Sequence, residues 1–159
     1  MVEPTVPDDV LVRVGTAIAL GGTGHRAEAS ALLSTLWQDI GGELGDPLHR
    51  CAIAHSMADA QDDPTEELRW DVRALEAAGL LTDERIIRAG MPGSAAGLFA
   101  SLHLNLGDCY RRLGDRDSAR EHLHRGIAAL PALDEAGDGS MVREGLDRLG
   151  RRLVEASST

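Results

Sequence analysis

The sequence predicts an all-α fold, and three observations carry that prediction. Aromatic residues make up only 3% of the 159 residues, so a core must be packed by Leu, Ile, Val and Ala, which suits closely spaced helices better than a β-sandwich. Runs of β-branched residues are nearly absent. Apolar residues recur at intervals of three and four, in stretches separated by glycine and proline. The length suits a single domain with a sizeable core, expected over residues 8–157.

The first helix is expected from about Asp8 to Gly21, with Val10, Leu11, Val14, Ala17 and Ile18 at helical spacing before Gly21-Gly22-Thr23-Gly24 breaks it. Ala29, Leu32, Leu33, Leu36, Trp37 and Ile40 mark a second, ended by Gly41-Gly42. Asp46-Pro47 and Asp63-Pro64 are both helix starts, because Asp accepts orphan backbone N–H groups and proline is tolerated at the first helical residue. Glu66 is placed to close an acidic capping box. The fourth helix carries Leu68, Val72 and Leu75 on one face and stops near Gly79. Between Leu80 and Gly97 the pattern is irregular, with a short turn capped by Thr82 and a break at Gly90-Met91-Pro92-Gly93. Ser94 can cap a long helix from about Ala95 to Leu113. A further helix runs through Ala119, Leu123 and Ile127 to Pro131. After a loop at Asp134–Gly139, Val142, Leu146, Leu149 and Leu153 form the stripe of a last helix.

The formal charge is -10, and all 16 basic residues are Arg. Such a balance disfavours nucleic-acid and anionic-membrane binding, where basic side chains supply most of the affinity, and fits a basic or apolar partner. Without Lys there is neither a Schiff-base lysine nor a Walker-type phosphate loop. Cys51 and Cys109 stand far apart, as reduced thiols of a cytoplasmic protein would. The acidic, proline-bearing run Met1–Asp9 is unlike a signal peptide. No apolar run approaches the roughly 18–20 residues that cross a bilayer. The wealth of Arg, Ala and Gly points to a GC-rich genome.

Within this pattern the segment Leu102–Pro131 stands out. Leu106-Gly107, Tyr110, Gly114-Asp115, Ala119, Leu123 and Pro131 resemble the tetratricopeptide repeat, a helical hairpin of about 34 residues. His103 departs from the family's large aromatic, and Gly126 from its Ala. Upstream, Ala17, Leu20, Gly24, Ala29 and Leu33 lie over Gly107, Tyr110, Gly114, Ala119 and Leu123 without a gap. Ile53-Ala54 and Met57 stand in for Leu106-Gly107 and Tyr110 in a middle copy, where either Trp70 or Val72 is the packing residue of the second helix. Ala17 and Ala54 are 37 residues apart, and Ala54 and Gly107 are 53 apart, one repeat plus a 19-residue insertion. The resemblance, also to helical-repeat proteins of actinobacteria, implies a right-handed superhelical stack of antiparallel hairpins. Its repeats would span about 8–42, 46–79 and 95–131, with an insertion at 80–94 and a solubilising cap helix at 139–157.

It also implies a binding face, because the first helix of each tetratricopeptide hairpin lines the concave side. Matching positions place Leu11, Val14 and Ile18, then Leu48, Cys51, His55 and Asp59, then Ser101, Leu104, Asn105, Asp108, Arg111 and Arg112 on it. Asn105 coincides with a family asparagine that holds a peptide backbone or carboxylate. The family's clamp lysines have no counterpart. Arg111 and Arg112 could fork onto an acidic group, or simply pair with Asp108 or Asp115.

Cys51, His55 and Asp59 share a helix face at i, i+4 and i+8 but spread over about 12 Å, too far for one metal ion. His122 and His124 point to different faces and make a poor metal pair. Trp37 and Trp70 read as packing between repeats. No nucleophile–base motif or metal-finger spacing occurs. The expectation is therefore a protein- or peptide-binding scaffold, with no enzymatic activity, cofactor or metal. The alternative is a self-assembling regulatory module, a homodimer using exposed apolar surface of the insertion at 80–97.

Overall fold

The computed structural model describes residues 7–133 and 138–157. Residues 1–6 of the expected N-terminal run and 134–137 of the expected loop lie outside them. The described residues form eight α-helices: α1 (Asp9–Gly22), α2 (Arg26–Asp39), α3 (Pro47–Asp59), α4 (Pro64–Ala78), α5 (Asp83–Arg88), α6 (Ala95–Arg112), α7 (Arg116–Ala129) and α8 (Asp138–Glu155). Short 3-10 turns cover Gly42–Leu44 and Leu130–Ala132. The chain is all-α, as the composition predicts.

Side chains start most of these helices. Asp8, Asp63, Thr82, Ser94 and Asp115 each accept a backbone N–H of the first turn, and Asp46 accepts two, from Leu48 and His49. Glu66 takes no part in capping and instead accepts from Arg69 Nη1 at 2.6 Å.

Helices α1 and α2, α3 and α4, and α6 and α7 pack pairwise as hairpins. Helix α3 lies against both α1 and α2, α4 lies against α6, and α8 covers α6 and α7 together. In the first and third hairpins the turn is the same object. Gly24 and Gly114 have φ of +88° and +85°. The next N–H reaches back five residues, from His25 to Leu20 O at 2.9 Å and from Asp115 to Tyr110 O at 3.0 Å. This is the Schellman closure, whose left-handed position favours glycine.

The third hairpin also explains its glycines. A Cβ on Gly107 would lie 2.7 Å from Leu149 Cδ2, and one on Gly126 2.7 Å from Leu146 Cδ2. Both positions are kept small by α8, whose Val142, Leu146, Leu149 and Leu153 are all buried. Reciprocally, a Cβ on Gly145 of α8 would lie 2.5 Å from Leu104 Cδ2. The last helix therefore seats directly on α6.

Helix α4 departs from its expected face. Asp71, Ala74, Ala77 and Ala78 are buried, whereas Leu68, Val72 and Leu75 are half-buried. The packing position left between Trp70 and Val72 falls on Asp71, because the Ala stripe that follows it is what lets α6 approach α4. Trp70 turns aside to meet Trp37 edge-to-face at 5.2 Å, joining the first two hairpins, and Arg73 covers it with its guanidinium carbon 4.4 Å from the ring centre.

The insertion is pinned at Arg85, which donates to Asp46 at 3.0 Å and Asp8 at 3.5 Å, while Asp8 also meets His49 Nε2 at 2.8 Å. Burial opposes ionisation of both carboxylates, but these partners outweigh it and hold both below the usual carboxylate range. Ile86 of the insertion is buried, whereas Leu80 and Ile87 are 61% and 71% exposed.

Candidate functional site

Helix α6 positions a cleft between α3 and α4 on one side and α8 on the other. Its volume is about 320 Å³. Four of the residues placed on the binding face from sequence line it: Asp59, Leu104, Asn105 and Asp108. Glu67 of α4 adds a third carboxylate, and Arg148 and Arg152 of α8 form the opposite wall. Asn105 stands between walls of opposite charge, one helical turn from Asp108 and beside Leu104. Leu104 itself is half-buried, packed beneath Gly145 and against the α7–α8 core, so it forms floor rather than free surface.

Arg111 and Arg112 are already engaged. Arg111 Nη2 donates to Asp108 Oδ1 at 2.9 Å, and Arg112 Nε to Asp108 Oδ2 at 3.0 Å. Arg112 Nη2 also reaches Glu67 at 2.6 Å, the contact that most raises its own pKa. Arg152 approaches the same Asp108 at 3.7 Å. One carboxylate thus gathers three guanidinium groups, and an acidic ligand at Arg111 or Arg112 has to displace it. These two arginines bracket the cleft and do not line it.

Cys51 is corrected outright. It is 5% exposed, packed with Ala54, Ala74 and Leu102 under the second hairpin, and burial pushes its thiol up to about 11. The packing of α6 against α4 closes over that level of α3, so i, i+4 spacing does not carry Cys51 to the surface with His55. Val14 and Leu48, also placed on the face, are buried too. Cys109 is fully buried and donates to Pro64 O at 3.1 Å, with burial pushing it up to about 12.

His55 lines a second cavity, of about 490 Å³, beyond the Leu104–Gly145 contact. Its Nδ1 lies 3.9 Å from Oδ1 of Asp71, which is 0% exposed. Neither Asp71 oxygen nor His55 Nδ1 has a hydrogen-bond partner. Burial raises the Asp71 pKa, with His55 pulling the other way and Glu67 and Asp59 adding to the rise. Burial works to lower the His55 pKa, but Asp71 and Asp59 outweigh it and raise the value. Sequence reasoning missed Asp71 because an acid inside an amphipathic helix reads as its solvent side; its i, i+3, i+7 relation to Ala74 and Ala78 was the available signal. It missed Arg148 and Arg152 because α8 was read only as a cap, and Glu67 because an acid in the first turn of α4 reads as favouring the positive end of that helix.

His122 pairs across the hairpin with His103, Nδ1 to Nδ1 at 2.9 Å, not with the exposed His124. His103 stacks on Phe99 at 6.2 Å between ring centres, and is pushed down to about 4 by burial and by His122. Tyr110 stacks on His122 at 5.4 Å. Among the described residues no cluster of three or more His, Cys, Asp or Glu could hold a metal ion, and no helix is long and apolar enough to cross a membrane. No family model matches the chain, and neither a curated protein nor a solved structure matches it significantly.

Proposed function

We propose that the chain is a short tetratricopeptide-type scaffold, a right-handed superhelical array of three hairpins and a cap, that binds a protein segment in the α3–α6–α8 cleft. The observation that carries this reading is the convergence of Asp59, Asn105 and Asp108 with Arg148 and Arg152 on one cleft. An extended peptide offers backbone amides that Asn105 can both donate to and accept from. Side chains of opposite charge on successive positions would meet the two walls. The formal charge of -10 disfavours nucleic acid and an anionic membrane surface as partners, and the reading requires no catalysis and no cofactor. The reduced, buried thiols agree with a cytoplasmic setting.

Selection from a random peptide display library tests it. Wild type should enrich peptides of alternating charge that an Asn105→Ala, Arg148→Ala double variant, shown to be folded by circular dichroism, no longer holds. Equal enrichment by both proteins would sink the reading. The self-assembling alternative draws on the exposed Leu80 and Ile87 of the insertion. Sedimentation equilibrium decides that point, because a monomer at the highest attainable concentration removes it.

A further inference from the structure

The cavity at His55 is distinct from the cleft and calls for an account of its own. Its walls come from five places: α3 gives His55, the loop before α6 gives Ser94, α6 gives Leu98 and Ser101, the turn after α7 gives Leu133, and α8 gives Val142. A volume of about 490 Å³ falls in the range of small-molecule sites, which are apolar with a few placed polar groups. We propose that this cavity binds a small apolar carboxylate, its hydrocarbon chain against Leu98, Leu133 and Val142 and its head group on His55.

Two observations place the head group. Nδ1 faces Asp71 at 3.9 Å, which leaves Nε2 as the ring nitrogen for a ligand in the cavity that His55 lines. Asp71, fully buried with both oxygens unpartnered, stabilises the protonated ring, which then presents an N–H donor to a ligand oxygen. A buried carboxylate without hydrogen bonds is costly, and an anion on Nε2 would strengthen the imidazolium and draw Nδ1 and Asp71 together.

The first turn of α6, the positive end of an 18-residue helix, borders the same space through Gly97, and Gly139 of α8 lines it as well. Asp83 accepts the Ala95 N–H at 2.8 Å and so occupies one donor at the α6 terminus. The Ser94 hydroxyl accepts from Gly97 N–H, leaving its own proton to donate.

Titration calorimetry with decanoate, below its micelle concentration, tests the proposal, with decan-1-ol as the probe of equal chain and no charge. Saturable binding of decanoate is expected, at least tenfold tighter than the alcohol. His55→Gln should weaken it at least tenfold, and Ser101→Met, which adds bulk to the wall, should abolish it. The amides of Gly97 and Gly139 should shift in heteronuclear spectra on titration. Absence of saturable binding would overturn the proposal, as would equal affinity for the alcohol or unchanged affinity in His55→Gln. Should His55→Gln not fold, unchanged binding in Ser101→Met overturns it instead.

Discussion

Hairpins α1–α2 and α6–α7 close with the same left-handed glycine turn and bury the same register, Ala17, Ala29 and Leu33 in one and Gly107, Ala119 and Leu123 in the other. They differ in what lies on top. In the third hairpin Leu149 and Leu146 of α8 press on Gly107 and Gly126. In the first, α3 takes the corresponding place, with its Ile53 and Met57 in one core with Ala17, Ala29 and Leu33, and Val12 and Ile18 of α1 are more than half exposed. The lesson is that the turn belongs to the hairpin, whereas the choice between glycine and alanine in its first helix belongs to the neighbour.

The largest effect is expected where that neighbour bears down. Leu149→Ala should cost about 2–5 kcal/mol, the range for truncating a buried leucine, read from urea denaturation; a cost near zero would mean that α8 is not seated on the hairpin. Gly107→Ala should cost about 1–3 kcal/mol through overpacking, whereas Gly15→Ala in α1, with nothing within 4 Å of its Cβ position, should stabilise by about 0.5–1 kcal/mol. Combined with Leu149→Ala, most of the Gly107→Ala cost should vanish, since the two positions share one contact.

The turns test the other half of the comparison. Gly24→Ala and Gly114→Ala should each cost about 1–2 kcal/mol, and they should agree with each other; a clear inequality would break the equivalence of the two hairpins. The smallest effect belongs to the middle hairpin. Asp71→Asn removes a buried charge whose folded pKa is raised, and such an acid loses stability as pH climbs above its unfolded value. His55, also raised, contributes stability below its unfolded value and loses it as pH rises through the folded one. Both act in the same direction, so the variant should gain on wild type as pH rises above the ordinary carboxylate value, by on the order of 1 kcal/mol. A parallel pair of stability–pH curves would show that Asp71 does not titrate there.

Much of the fold was legible because it is local. Caps at Asp46, Asp63 and Ser94, breaks at glycine and the Leu146–Leu149–Leu153 stripe of α8 depend on a few neighbouring residues each. The binding face was legible only in part, because it depends on which helix lies over which. Asp59, Asn105 and Asp108 do converge on a cleft, but Cys51 and Leu104 sit on the same predicted faces and are taken up by packing. His55 was singled out, whereas its neighbour Asp71 takes its burial from α6 lying across the Ala stripe of α4, a contact between elements distant in sequence.

The way the insertion is fastened has a consequence for tampering with it. Asp8 and Asp46 begin two different helices, and Arg85 spans both. Excising residues 80–94 would leave those carboxylates with only His49 between them, so a shorter chain would not simply be a tidier one. The fastening is also of a different nature from the seams between hairpins. As pH falls below the ordinary carboxylate value and through the depressed values of Asp8 and Asp46, or as salt shortens the reach of charge to about 3 Å at 1 M, it should slip while the apolar seams hold. Brine and acid therefore act on this fastening, while the buried Ile86 of the segment is indifferent to both.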